Sequence, residues 1–302
     1  MAGNGSYQGT AQGAGGQQKI KEGRPDVSVV IPVHNGAGTL SAALDSALGQ
    51  EVSLEILVVD DASSDNLEQV MKRYQGLPQV RLLRNEKNLG AASSRNKAVK
   101  EARGDYVAFL DSDDFWAEGK LKKQLKLLEQ GDFSLCCTAR ELMSSKGELT
   151  GKVIPVKKVI SYRDLLHHNS INCSSVLLPR ETALEFPMEH EDSHEDYITW
   201  LKILKKYGPG AGINEPLLKY RLSAKGKSGS KLKSARMTFR VYRYMGFGWV
   251  QSLACFVSYA FCGVTKYLRA ALGRKRTGET ELVFQREGPE ATPGKEVETG
   301  EE

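Results

Sequence analysis

Three carboxylates stand within four residues at Asp111-Ser112-Asp113-Asp114. Like charges that close repel one another, and grouping them in a cleft is costly unless a cation neutralises them. Hard oxygen ligands favour Mg²⁺ or Mn²⁺, and a shell only partly filled by Asp111 and Asp113 leaves positions for phosphate oxygens. The chemistry such a group supports is activation of a diphosphate. Other polar residues with chemical potential are Pro32-Val33-His34-Asn35, Asp60-Asp61, the stretch from His190 to Asp196, and Arg221 followed by Lys225, Lys227 and Ser228. The fixed fork of Arg221 suits two phosphate oxygens and the charge that develops on a leaving diphosphate. Each group has a plainer reading. Asp and Asn at strand ends cap turns, Glu195 and Asp196 favour the positive end of a helix, and Lys225 and Lys227 belong to a solvated basic linker.

Position decides between the two kinds of reading. Residues 27–32, VSVVIP, form a short β-branched run of the kind that becomes a strand buried on both faces of a parallel sheet. Leu40, Ala43, Leu44, Ala47 and Leu48 then repeat at helical spacing. A second strand over 54–59 ends at Asp60-Asp61, and Asp65 with Glu68 has the spacing of a capping pair for a helix whose inner stripe is Leu67, Val70, Met71 and Tyr74. A third strand over 80–83 leads to Asn88-Leu89-Gly90 and a helix of small residues over 91–102, and a fourth over 106–110 delivers the acidic run. Strands alternating with helices predict a doubly wound, mostly parallel α/β sheet, whose ligands bind outside the carboxyl ends of the strands. Three polar clusters sit at such ends and should face one crevice.

Composition sets the outer limits. A chain of 302 residues, 40% hydrophobic and 26% charged, can bury one good core with an appendage. The net charge of +5 says little about partners, since the basic excess gathers after residue 219 and the last stretch is acidic. Five cysteines, Cys136, Cys137, Cys173, Cys255 and Cys262, lack zinc-ligand spacing and suit a reducing compartment. His167 and His168 have no ligand partners at metal spacing. The first strand is not followed by GxGxxG, which argues against a dehydrogenase. A phosphatase built on an aspartyl nucleophile would not place Phe115 and Trp116 after the acidic run.

The motifs VSVVIPVHN at 27–35, LVVDDASSD at 57–65, NLGAASSRN at 88–96, GDYVAFLDSDDFW at 104–116 and HEDYITWLKI at 194–203 together resemble the family 2 glycosyltransferases of GT-A fold, in order over residues 27–222. The resemblance implies an inverting enzyme that moves a sugar from a nucleotide diphospho-sugar, expected to be UDP-linked, to an acceptor hydroxyl. It further implies that Pro32, His34, Asn35 and Asp61, with Asp60 beside it, hold the nucleotide base and that Arg95 approaches the nucleotide. Asp111, Ser112 and Asp113 then form the DxD corner for metal and donor, with Asp113 the direct ligand, while Arg221 and Ser228 belong to a loop closing over the diphosphate. His34 departs from the family pattern, which carries Tyr there. By the same resemblance Asp196 is the base that takes the acceptor proton, with Glu195 and His194 as alternatives. A non-catalytic nucleotide-sugar binder or scaffold of the same fold is the rival reading, and retention of Asp111, Asp113, Asp196 and Arg221 argues against it.

Outside this region the chain changes character. Residues 1–26 and 274–302 read as a disordered leader and a disordered acidic tail. Within 223–273, Leu232, Ala235, Phe239, Tyr242, Gly246 and Trp249 fall on one helical face, flanked by Lys233, Arg236, Arg240 and Arg243. Residues 244–265 carry no charge, yet Gln251, Ser252, Ser258 and Thr265 leave them only moderately apolar. Helices lying in the membrane interface are therefore expected rather than a span, with a helical hairpin packed on the core or on another subunit as the plainer reading. They place the protein peripherally on the cytoplasmic face of the membrane, beside a lipid-linked saccharide acceptor, with no nucleic-acid partner.

Overall fold

The computed structural model describes residues 24–222 and 231–261. Its first half is a run of β-α units. The strands are β1 (Val27–Val33), β2 (Leu54–Asp60), β3 (Val80–Arg84) and β4 (Tyr106–Phe109), and the helices between them are α1 (Ala37–Leu48), α2 (Leu67–Lys72) and α3 (Ala91–Glu101). They pair in parallel in the order β3-β2-β1-β4. Every residue of β1 is buried, as a β-branched strand covered on both faces requires. Val30 faces the layer that holds α3, while Val27, Val29 and Ile31 face Leu40, Ala43, Leu44 and Ala47 of α1.

Beyond β4 the sheet becomes mixed. The later elements are β5 (Phe115–Trp116), α4 (Lys120–Gln130), β6 (Cys136–Met143), β7 (Leu149–Ile154), β8 (Val159–Ile160), α5 (Tyr162–His167), β9 (Leu177–Pro179), α6 (Arg180–Glu185), α7 (Glu195–Tyr207), β10 (Gly210–Arg221) and α8 (Lys231–Tyr244). The strand order continues β4-β9-β6-β10-β5. Strand β9 enters antiparallel beside β4, and β10 runs parallel to β6 and antiparallel to β5. That last pairing returns the end of β10 to the acidic run just before β5. The architecture is thus the expected α/β sheet, parallel through its first four strands.

Two expectations need correction. Asp65 does not cap α2, whose N-cap is Asn66 without a side-chain cap. Its Oδ2 instead accepts from the Ala37 amide at 2.8 Å, capping the start of α1. The parallel register brings the β1 and β2 turns together, so the neighbouring helix is the nearer donor. The second correction concerns α8. Its buried residues are Met237, Thr238, Val241 and Tyr242, while Leu232 is 85% exposed. Of the expected apolar stripe only Tyr242 is fully covered, because the helix docks on α5 and the turn before α7: the Tyr242 hydroxyl donates to the Leu166 carbonyl at 2.7 Å and the Ser193 hydroxyl to the Met237 carbonyl at 2.9 Å. A bend at Gly246 then leads to a helical run over 249–261. His167 at the end of α5, to which the sequence assigned no role, lies 2.7 Å from the Ser258 hydroxyl on this run. No helix among the described residues is long and apolar enough to cross a membrane.

Candidate active site

The three polar strand ends meet. Val33 pairs with Asp60 in the β1–β2 register, and the Leu110 amide donates to the Val30 carbonyl, so the turns after β1, β2 and β4 emerge side by side. A carbon on Gly36 would lie 3.0 Å from the Ser112 hydroxyl, so glycine lets the first turn approach the acidic one. His34 Nδ1 donates to the Asp61 carbonyl at 2.8 Å, a bond that fixes the tautomer because a carbonyl can only accept. Its Nε2 then accepts from Asn35 Nδ2 at 3.1 Å. Asn35, in left-handed backbone at φ 52°, is held by Ser63 and Ser64 across the β2 turn.

The two aspartates at the end of β2 do different work. Asp61 is 3% exposed, and its carboxylate accepts from Asn85 Nδ2 and from the Leu89 and Gly90 amides, each at 2.8 Å. It therefore fixes the loop that starts α3. Asp60, less buried, accepts from the Ser63 amide at 2.9 Å. Asn85 was not picked out from sequence, although it stands one residue past β3 as Asp61 stands past β2.

The acidic turn is built from inside out. Asp114 is 1% exposed and its Oδ1 accepts the Arg221 amide at 2.9 Å, while the Arg221 Nε donates to the Asp113 carbonyl at 2.9 Å. A further Arg221 nitrogen, Nη1, donates to the Ser145 carbonyl at 3.2 Å. Arg221 thus braces the turn from the end of β10. Asp111 and Asp113 are left on the partly exposed side. Burial, with the Asp111 charge beside it, raises the Asp113 carboxyl above the usual range, and burial with Asp111 and Asp113 raises Asp114 well above it. Such crowding is relieved by a divalent cation. Among the described residues no three His, Cys, Asp or Glu converge on one point; Asp111 and Asp113 are the two carboxylates left partly exposed at this turn, oxygen donors of the type Mg²⁺ or Mn²⁺ takes beside phosphate.

Across the crevice stands the first turn of α7. Arg95, 5% exposed on α3, reaches both sides: Nη2 lies 2.5 Å from Asp111 Oδ1 and Nη1 lies 3.5 Å from Glu195 Oε1. Asp196 is partly buried next to Glu195, and its Oδ1 accepts the Tyr197 amide at 2.8 Å. Burial, aided by the Glu195 charge and opposed by Arg95, raises its carboxyl to about 6. Helix α7 is itself anchored by Trp200 against Phe109 of β4 and by the Tyr197 hydroxyl on the Leu165 carbonyl. Pro32 lies within β1, one pair from its end. The geometry brings together His34, Asn35, Asp60, Asp61, Arg95, Asp111, Ser112, Asp113, Asp196 and Arg221, whereas Ser228, Lys225 and Lys227 lie outside the described residues.

The model of the family described as Glycosyl transferase family 2 matches residues 28–184. The chain is 35% identical over 248 residues to the putative teichuronic acid biosynthesis glycosyltransferase TuaG of Bacillus subtilis (strain 168), covering 81% of this chain and 98% of the relative. It is 36% identical over 220 residues to the UDP-Glc:alpha-D-GlcNAc-diphosphoundecaprenol beta-1,3-glucosyltransferase WfgD of Escherichia coli, covering 71% and 84%. Among solved structures, mannosyltransferase PcManGT from Pyrobaculum calidifontis in complex with GDP-Man and Mn²⁺ shares the fold at TM-score 0.59 and 18% identity, covering 84% of this chain and 79% of the other. The family model and these relatives agree that the chain belongs to the family 2 glycosyltransferases, with the GT-A fold and the transferase activity of that family.

Proposed function

We propose that the protein transfers a sugar, with inversion, from a UDP-linked donor to a hydroxyl of a lipid-linked saccharide during polysaccharide or glycan assembly. The observation that carries this reading is the span of Arg95 between Asp111 and Glu195, which sets the acidic donor corner and the Glu195–Asp196 pair around one crevice. The donor base rests against His34, Asn35, Asp60 and Asp61, and Arg221 stands beside the diphosphate. Mg²⁺ or Mn²⁺, held by Asp113 with Asp111, would neutralise the diphosphate and the charge that builds on it as the glycosidic bond breaks. The PcManGT complex with GDP-Man and Mn²⁺ supports that choice of metal.

Asp196 takes the acceptor proton as the hydroxyl oxygen attacks the anomeric carbon. The new carbon–oxygen bond forms on the face opposite the departing nucleoside diphosphate, which gives inversion. A carboxyl raised to about 6 is still ionised at neutral pH and is a stronger base than an ordinary aspartate. The lipid-linked acceptor is suggested by the name of the WfgD relative, a diphosphoundecaprenol glucosyltransferase. A membrane surface is supported by the helical run over 249–261. Val250, Leu253, Val257 and Phe261 fall on one of its faces and are 83%, 56%, 58% and 69% exposed. Arg236 and Arg243 precede this row and suit anionic headgroups on the cytoplasmic leaflet. The deciding experiment is a panel of UDP, GDP and dTDP sugars assayed for turnover with and without Mn²⁺. Metal-dependent release of UDP supports the reading; turnover of none, or of another nucleotide alone, overturns it in whole or in its donor.

A further inference from the structure

The segment that precedes the catalytic helix is held from two sides. On the α3 side, Asn96 Nδ2 donates to the Met188 carbonyl at 2.7 Å and its Oδ1 accepts the Met188 amide at 2.8 Å. Glu191 fills the space above Gly90, where an added carbon would sit 2.1 Å from its carboxylate. On the other side stands α8, whose residues are more than 40 positions away in the chain. Arg240 Nη1 donates to Asp192 Oδ2 at 2.8 Å and to the Asp192 carbonyl at 3.2 Å. The Tyr244 hydroxyl donates to Asp192 Oδ2 at 3.0 Å. The Tyr244 ring lies on the His190 ring, 3.7 Å apart and 6° from parallel.

His190 is one of three non-glycine residues among those described with positive φ, at 65°. That backbone region is sparsely populated for residues with a side chain and persists where the surroundings hold it. The Ser193 amide closes the turn on the His190 carbonyl at 2.8 Å, and α7 begins two residues later at Glu195. Trp200 anchors the body of α7 on Phe109 of β4, whereas Tyr197, in the first turn, shares the Leu166 carbonyl with Tyr242 of α8. What α8 controls is therefore the turn and the first residues of the helix, where Asp196 stands.

We propose that Tyr244 and Arg240 are positioning residues for sugar transfer, holding the His190–Ser193 turn so that Asp196 meets the acceptor hydroxyl. This rests on the reading of Asp196 as the base. Neither residue touches the donor corner, so their removal should alter turnover and leave donor binding alone. An exposed Arg240–Asp192 pair contributes little to stability, which separates the role from simple support of the fold. Tyr244 combines stacking and hydrogen bonding in one side chain and is the stronger member.

The test uses the full chain with Tyr244→Ala, Tyr244→Trp, Arg240→Gln and Asp196→Asn. Turnover is read as nucleoside diphosphate released from UDP-glucose with Mn²⁺, or from the nucleotide sugar that the donor panel returns instead. Hydrogen exchange is read on peptides over 188–197 and 105–114. Tyr244→Ala should lower kcat about tenfold or more, as misplaced reacting groups do, with donor KM within about twofold. Exchange should rise over 188–197 and stay at the parent level over 105–114. Tyr244→Trp, which keeps the stack on His190, should recover most of kcat, and Arg240→Gln should show the same split more weakly. Parent kcat and exchange in folded Tyr244→Ala would overturn the proposal, as would a loss confined to KM or a Trp variant no better than Ala. If Tyr244→Ala fails to fold, the split in Arg240→Gln decides in the same terms. Asp196→Asn at the parent rate would sink the base itself and the proposal with it. An inactive Asp196→Asn beside a normal Tyr244→Ala would refute the positioning role alone.

Discussion

Arg95 joins Asp111 to Glu195: its Nη2 lies 2.5 Å from Asp111 Oδ1, and Nη1 of the same guanidinium lies 3.5 Å from Glu195 Oε1 at the start of α7. One buried cation therefore serves two acidic groups from different parts of the chain. The resemblance of the small-residue helix to its family assigns Arg95 to the nucleotide. Its hydrogen bonds among the described residues go to Asp111, Glu195 and the Met188 sulfur.

Removing that cation should cost stability as well as activity. Glu195 is 7% exposed, and breaking a buried pair from one side leaves an uncompensated charge, a loss of roughly 3 kcal/mol or more. Arg95→Met should lower the denaturation midpoint accordingly. Arg95→Lys should recover only part of it, because one ammonium lacks the fork that reaches both carboxylates. A fully stable Arg95→Met protein would show that Asp111 and Glu195 do not depend on it.

Asp196 gives a prediction in pH. With its carboxyl raised to about 6 by burial and by Glu195, it is ionised above that pH and protonated below. A base must be ionised to act, so kcat should hold at neutral pH and fall as pH drops through about 6. Asp196→Asn should lower kcat at least about a hundredfold, the usual range for a general base, and remove the acid limb from any residual rate. Donor KM should change little.

Asp113 and Asp114 should separate cleanly. Asp113→Ala should abolish Mn²⁺-dependent turnover and weaken Mn²⁺ binding measured by titration in the presence of UDP. Asp114 instead accepts the Arg221 amide, and an asparagine oxygen can take the same bond. Because its folded carboxyl is raised by burial and by Asp111 and Asp113, the stability it gives at low pH is lost as pH rises. Asp114→Asn should therefore melt no lower than the parent at neutral pH in chelator, and should keep more activity than Asp113→Ala. A collapse of the fold in Asp114→Asn would mean that its charge is structural.

The first half of the fold was legible because its signals are local. Strands β1, β2 and β4 are dominated by apolar residues, with only Ser28 and Glu55 interrupting, and the polar residues at their ends fall at one sheet edge once the strands are parallel. The later strands gave no such pattern: β6 reads CCTARELM, with Thr138 and Arg140 interrupting the apolar positions, and β7 is exposed along most of its length. Partners far apart in sequence were equally hidden. Arg95 and Glu195 are 100 residues apart, and nothing near Asp65 announces that its oxygen caps α1. Spacing marked α8 as amphipathic, but which face turns inward was decided by Leu166 and Ser193 across the tertiary contact.

That contact also dictates how membrane binding should be tested. Deleting α8 would remove Val241 and Tyr242, both fully buried, and strip the core of the residues they cover. The outward row over 249–261 can be changed alone. Leu253→Glu with Val257→Glu should release the protein from vesicles rich in anionic lipid in a flotation assay and leave thermal stability near the parent value. Undiminished flotation of the double variant would remove this face as the membrane contact.

Lys120 offers a test of the core that is independent of catalysis. Its side chain is fully buried, its Nζ lies 4.0 Å from the Trp116 ring centroid and donates to Gln124 Oε1 at 2.7 Å, and no carboxylate pairs with it in the described structure. Burial lowers its pKa from 10.5 to about 7. Between those values the unfolded chain binds a proton that the folded chain does not, so stability rises with pH across the window and is lost as pH falls towards 7. Each unit of separation corresponds to about 1.4 kcal/mol. Urea denaturation of the parent from pH 7 to 10 should thus show a gain that Lys120→Met lacks, since a thioether of similar length fills the space without a proton to lose. Parallel pH profiles for the two proteins would mean that Lys120 remains charged in the core, with the Trp116 face and Gln124 sufficient to hold it.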